Sequence, residues 1–138
     1  MSNSDRLKHY EDSMGSVPAA IGAMFAMDEK FANAYTDIRE LIYTDRPDGM
    51  PLAQKELLLV MFDLAVSNKD GAINHLSAAR RAGLTETALY EALMIAFLVV
   101  GVSGWGKVGY HLWETWQQWN TEEGTAGESS ATDEGVQR

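Results

Sequence analysis

Cysteine is absent from all 138 positions, which excludes disulfides, thiolate metal sites and thiol redox catalysis. Positive charge is scarce as well: 11 Lys and Arg stand against 20 Asp and Glu, a net charge of −9. Phosphate binding needs a surplus or a clear patch of positive charge. The only basic doublet, Arg80-Arg81, reads as a solvated helix face, so no nucleic-acid partner is expected. Three prolines interrupt the chain, and no alternating pattern of strand length occurs, so the predicted class is all-α. The longest apolar run, Ala92 to Val102, is too short for a bilayer and reads as a buried helix. Met1 to Tyr10 is polar and lacks the apolar centre of a signal peptide, so a cytoplasmic protein without a membrane partner is expected.

What remains is a globular composition, 46% hydrophobic and 22% charged, read as a single domain over 1–120. A short helix starts at Val17-Pro18 and reaches about Met27. Asp28 caps a longer one through Tyr43, with Phe31, Tyr35, Ile38 and Ile42 on one side. A loop over Asp45–Gly49 precedes Pro51, which opens a helix to about Ser67. Asn68–Gly71 reads as a turn, and the next helix ends at Gly83, a left-handed cap. Thr85 caps a helix to Val100, and after a break at Gly101–Gly104 a last helix covers Trp105 to about Trp119. Residues 121–138 are Gly, Ser, Thr and acid with one large aliphatic residue, Val136. Such a segment buries too little to offset its ordering entropy and is expected to be a disordered acidic tail.

The helix from Pro51 to Ser67 is apolar almost all round, and Glu56, Asp63 and Ser67 converge on one narrow stripe. Two readings follow: the stripe is the solvent edge of a buried helix, or it lines a pocket in which Glu56 exchanges protons. In the following helix His75 shares a face with Ala72, Ala78, Ala79 and Ala82. It is either a core histidine or an acid–base group with space left beside its ring.

Trp105, Val108, Leu112, Trp116 and Trp119 recur at helical spacing in the last helix, with Trp113 at the edge. Such a stripe serves as a packing surface, and its size points to a subunit interface or an aromatic wall for a ligand. His9 is expected in solvent and His111 on the surface. With the three histidines dispersed and no glycine-rich phosphate loop after a strand, neither a metal nor a cofactor is expected.

The stretch KELLLVMFDLAVSNKDGAINHLSAARRAGLTETALYEALMIAFLVVGV places a Glu in a hydrophobic helix, a His eight residues before Gly83, and a small-residue break after the next helix. In these features the chain resembles the carboxymuconolactone decarboxylase and alkylhydroperoxidase-D superfamily, over about residues 15–117. The resemblance implies a helical bundle of about six helices, assembled as trimers, or as hexamers built from trimers, with active sites near subunit contacts. It also implies a proton-relay role for Glu56, as in the peroxidase branch, and a catalytic His75, as in both branches. The two redox cysteines of the peroxidase branch would fall at Asn68 and Gly71, so thiol peroxidase activity is excluded. The decarboxylase branch likewise lacks the cysteine pair, although a glutamate at the Glu56 position is not one of its evident marks.

The expected activity is therefore that of a cofactor-independent lyase or isomerase, similar to 4-carboxymuconolactone decarboxylase, acting on a small carboxylated ring or lactone. His75 and Glu56 are the catalytic candidates, with Asp63, Ser67 and Asn68 supporting them or touching substrate. An anionic substrate calls for a nearby cation, and Lys55, Lys69 and Arg80 are the nearest in sequence. The alternative is a catalytically silent oligomeric scaffold on the same fold.

Overall fold

The computed structural model describes residues 2–133. Helix α1 spans Asn3–Met14, and a capping box explains its start: the Ser2 side chain accepts from the Asp5 N–H while the Asp5 carboxylate accepts from the Ser2 N–H. This helix was not expected. Its apolar content is small, and only Tyr10 and Met14 are buried. Helix α2 is Ala19–Met27, and α3 is Glu29–Tyr43 with Asp28 as its cap. Helices α4 (Leu52–Ala65) and α5 (Lys69–Arg81) form a packed hairpin, and α6 covers Glu86–Gly104 behind a Thr85 cap. A π-helical turn, Trp105–Gly109, leads into α7, Tyr110–Asp133. No strand occurs among the described residues.

The expected break at Gly101 is present as a kink rather than a loop. Gly101 adopts φ 61 and ψ −164, a conformation that essentially only glycine tolerates. The expected end near Trp119 is not observed, because α7 continues through Asp133. Just past Trp119, the Arg80 guanidinium donates to Asn120 Oδ1 at 2.9 Å and to Glu123 Oε2 at 2.8 Å. These bonds hold the next turn where apolar contacts are missing. Residues 134–138 of the expected tail lie outside the described residues.

The main core joins Val60 and Leu64 of α4, Ala72, Leu76 and Ala79 of α5, Leu89 and Leu93 of α6, and Val108, Leu112 and Trp116 beyond the kink. A smaller cluster of Tyr10, Met14, Ile21 and Ala78 packs α1 and α2 on the other side of α5. Helix α5 therefore contributes to both. The tryptophan stripe is largely consumed at home: Trp116 is buried with its Nε1 donating to Glu86 Oε2 at 3.1 Å. Arg80 lies over the rings of Trp116 and Trp119.

Helix α3 does not bury its apolar stripe. It buries Ala32, Thr36 and Arg39 and exposes Phe31, Tyr35, Ile38 and Ile42. Helix α6 exposes much of its length in the same way, with Leu98 86% and Val99 82% accessible, as α4 does through Leu58 and Phe62. An 18-residue window in the run Glu86–Thr125 is long and apolar enough to cross a membrane, with a mean hydropathy of 1.8. The same run carries the Gly101 kink and docks Leu89 and Leu93 in the main core.

His9 is half-buried rather than solvated, edge-on to Tyr10 and Tyr43, and its Nε2 is buried without a hydrogen-bond partner. Burial first and the Arg39 guanidinium second hold its imidazole below the usual pKa, against the weaker opposing pull of Glu40, Asp12 and Glu56. The unfolded chain thus takes up this proton before the folded one does. Stability from a neutral His9 is complete above about pH 6.5 and declines as the pH falls below it. We expect His9→Gln to lose less stability than the parent between pH 7.5 and pH 5.5, as read from urea midpoints at the two values.

Candidate active site

Two helical turns separate Glu56 from Asp63, which puts both carboxylates on the side of α4 that meets α5. The hairpin then delivers His75 to them. Glu56 is 1% exposed, and its Oε2 lies 2.7 Å from His75 Nδ1. The solvent-edge reading of the stripe is therefore ruled out. With the carboxylate ionised, the ring carries a proton on Nδ1 and donates it to Glu56, which fixes tautomer and orientation. The other nitrogen, Nε2, lies 4.0 Å from Asp63 Oδ2, on the side where a cavity opens.

That cavity has a volume of about 710 Å³. His75, Asp63, Asn68, Tyr35 and Arg39 line one side, and Met14, Val17, Pro18 and Ile21 from the α1–α2 junction close the other. Glu56 is not part of the wall but sits behind His75. Among the described residues, no group of three or more His, Asp or Glu is arranged to hold a metal.

Asn68 caps α5, with its Oδ1 accepting from the Gly71 N–H at 3.2 Å and its Nδ2 donating to Asp63 Oδ1 at 3.1 Å. A Cβ at Gly71 would fall 2.3 Å from Asn68 Nδ2 and 2.6 Å from Asp63 Oδ2. Glycine at this position is what lets the cap and the carboxylate lie side by side. The positions where cysteines would stand in a thiol peroxidase thus serve here to hold Asp63.

Ser67 is not brought to the site. The helix ends at Ala65, and Ser67 turns to φ 61, exposed and beside Ser103 and Lys107. The wheel that aligned it with Glu56 holds only while the helix continues. None of the expected cations reaches the site. Lys55 Nζ donates to the carbonyls of Ile42 and Thr44 at 3.0 and 2.9 Å, Arg80 is bound to α7, and Lys69 is exposed.

The residue that sequence reasoning missed is Arg39. It is 6% exposed, its guanidinium lies 5.3 Å from the Tyr10 ring centroid and 4.5 Å from that of Tyr43, and Nη2 is 4.0 Å from Glu56 Oε1. The Tyr43 hydroxyl is buried beside the Glu56 carboxylate without an aligned hydrogen bond. Burial first and that carboxylate second push the phenol far up, so it stays protonated as a donor. The one available signal was the spacing of Ala32, Thr36 and Arg39 at i, i+4 and i+7, a stripe about a quarter-turn round the helix from the apolar one.

Glu56 thus lies between two cationic or ionisable groups in a region closed to water. Its truncation strands both. We expect Glu56→Ala to lower unfolding stability by about 3 kcal/mol and Glu56→Gln by clearly less, as measured by denaturant titration. Equal losses would mean that the carboxylate's charge has no part in holding the cluster.

A model of the carboxymuconolactone decarboxylase family matches residues 29–107, a span that contains Arg39, Glu56, Asp63, Asn68 and His75. Comparison with curated proteins gives no match. A solved structure of a candidate carboxymuconolactone decarboxylase from Burkholderia xenovorans LB400 superimposes with a TM-score of 0.79 at 30% identity, over 91% of this chain and 94% of that one. Fold and matched segment agree: the chain belongs to the carboxymuconolactone decarboxylase family.

Proposed function

We propose that the protein is a cofactor-independent lyase that removes carbon dioxide from a small carboxylated ring or lactone. The observation that carries this reading is His75 held through Nδ1 by a buried Glu56, with Nε2 on the cavity side. In the proposed step the bond between the ring carbon and the carboxylate breaks. Its electron pair moves into the conjugated carbonyl of the substrate, and neutral carbon dioxide leaves. His75, protonated on both nitrogens beside the Glu56 carboxylate, then gives its Nε2 proton to the resulting carbanion or enolate at carbon, and the ring, still holding Nδ1–H against Glu56, regains that proton from solvent. One proton is consumed and one carbon dioxide is released. A silent scaffold has no use for a cavity of about 710 Å³ beside such a pair, which supports the enzymatic reading.

The assay is carbon dioxide release from unsaturated carboxylactones in D₂O, with deuterium located in the product. We expect His75→Ala to lower turnover by about 10²-fold or more and Glu56→Gln by a smaller factor, with deuterium at the former carboxyl-bearing carbon. Unchanged turnover in His75→Ala would sink the assignment.

We also propose an assembly larger than a dimer, trimer or hexamer, covering the outward apolar faces of α3, α4 and α6. Isolated chains rarely expose contiguous apolar surface on this scale. Light scattering should give a mass several times 15.2 kDa. A monomer mass, or recovery with detergent or lipid alone, would contradict this.

A further inference from the structure

Arg39 holds a capacity that the acid–base pair does not use. Neither its Nε nor its Nη2 has a hydrogen-bond partner, although both atoms are buried. Together they form the side-on edge of the guanidinium, the edge that grips a carboxylate through two parallel N–H···O bonds. The nearby Glu56 does not fill it. At 4.0 Å from Nη2 its Oε1 is beyond hydrogen-bond reach, and Oε1 is itself unpaired. The rings of Tyr10 and Tyr43 flank the guanidinium and hold it in place. Charged donors kept dry and unpaired are costly, and proteins rarely retain them without a use.

Position supplies the second half of the argument. Arg39 borders the same cavity as His75, and it is the only Lys or Arg among the lining residues described, which also include Asp63 and Asp70. In a chain of net charge −9, an anionic ligand in this cavity has one permanent cation to approach, His75 being charged only when protonated.

We infer that Arg39 is the anion-binding residue of the cavity, receiving the carboxylate of a small planar ring ligand through its guanidinium. The ligand class rests on the proposed lyase reading, whereas the binding does not. Since carbon dioxide leaves uncharged, gripping the departing carboxylate would stabilise the ground state and oppose its loss. Arg39 therefore holds an anionic group that the reaction retains.

The test is calorimetric titration of the full chain with benzoate and with benzamide, ligands of the same shape that cannot be turned over. The parent protein should prefer benzoate by about tenfold or more, the equivalent of one charge-assisted contact. Arg39→Met should abolish that preference while leaving benzamide binding within about threefold, and Arg39→Lys should fall between, because it keeps the charge and loses the fork. Equal binding of the two ligands by the parent, no benzoate binding, or a parallel loss for both ligands in Arg39→Met would each overturn the inference. Should Arg39→Met fail to fold, the Arg39 Nε–H resonance of the parent decides: movement with benzoate alone supports the assignment, and an unmoved signal ends it. Absence of carbon dioxide release would defeat the lyase proposal and leave these binding results standing.

Discussion

The constraint on which this structure turns is a carboxylate removed from water. Burying Glu56 costs several kcal/mol unless partners compensate it, and the compensation is specific: one aligned bond to His75 Nδ1 and the charge of Arg39 at longer range. Each partner comes from a different helix. The α4–α5 hairpin must keep its register to bring His75 within 2.7 Å, and α3 must turn its polar side inward to present Arg39. The apolar side of α3 is thereby turned outward, so the electrostatics of the site and the hydrophobic outer surface are two results of one orientation.

Much of this was legible in the sequence where local rules suffice. Asp28, Thr85 and Pro51 mark helix starts because their side chains or ring geometry act within one turn, and Gly83 takes its positive φ for a reason confined to a single residue. Helical period left Glu56 and His75 each open to a bland or an acid–base reading, and the resemblance to a known superfamily was what joined them. The site's cation was not legible, because nothing local distinguishes a buried arginine from an exposed one. The apolar stripe of α3 did not mark its buried face, since amphipathicity treats the core of one chain as the only place to bury apolar surface. Ser67 failed for a related reason: a helical wheel assumes a helix, and the backbone leaves helical geometry after Ala65.

The N-terminal helix shows the same limit. Its start is a short-range capping box, yet its role is to lay Tyr10 against Thr36 and Arg39. The Thr36 hydroxyl donates to the Ala32 carbonyl at 2.9 Å, so the Tyr10 hydroxyl is the donor in their 3.0 Å contact. A polar segment of low apolar content is thus held by the Tyr10 ring and Met14, by the Tyr10–Thr36 bond, and by Arg6 donating to the Asn33 carbonyl and to Asp37.

The cavity walls have unequal origins. Every polar group that handles charge lies within 29–107, whereas the α1–α2 junction that closes the far side lies before it. That junction meets the rest through apolar contacts such as Met14, Val17 and Ile21, and it carries none of the buried charges. Its shape can accordingly drift without disturbing the dyad. The polar cluster and the far wall of the cavity thus come from separate stretches of chain, so in the proposed enzyme the α1–α2 junction can reshape the cavity while the Glu56–His75 pair stays as it is.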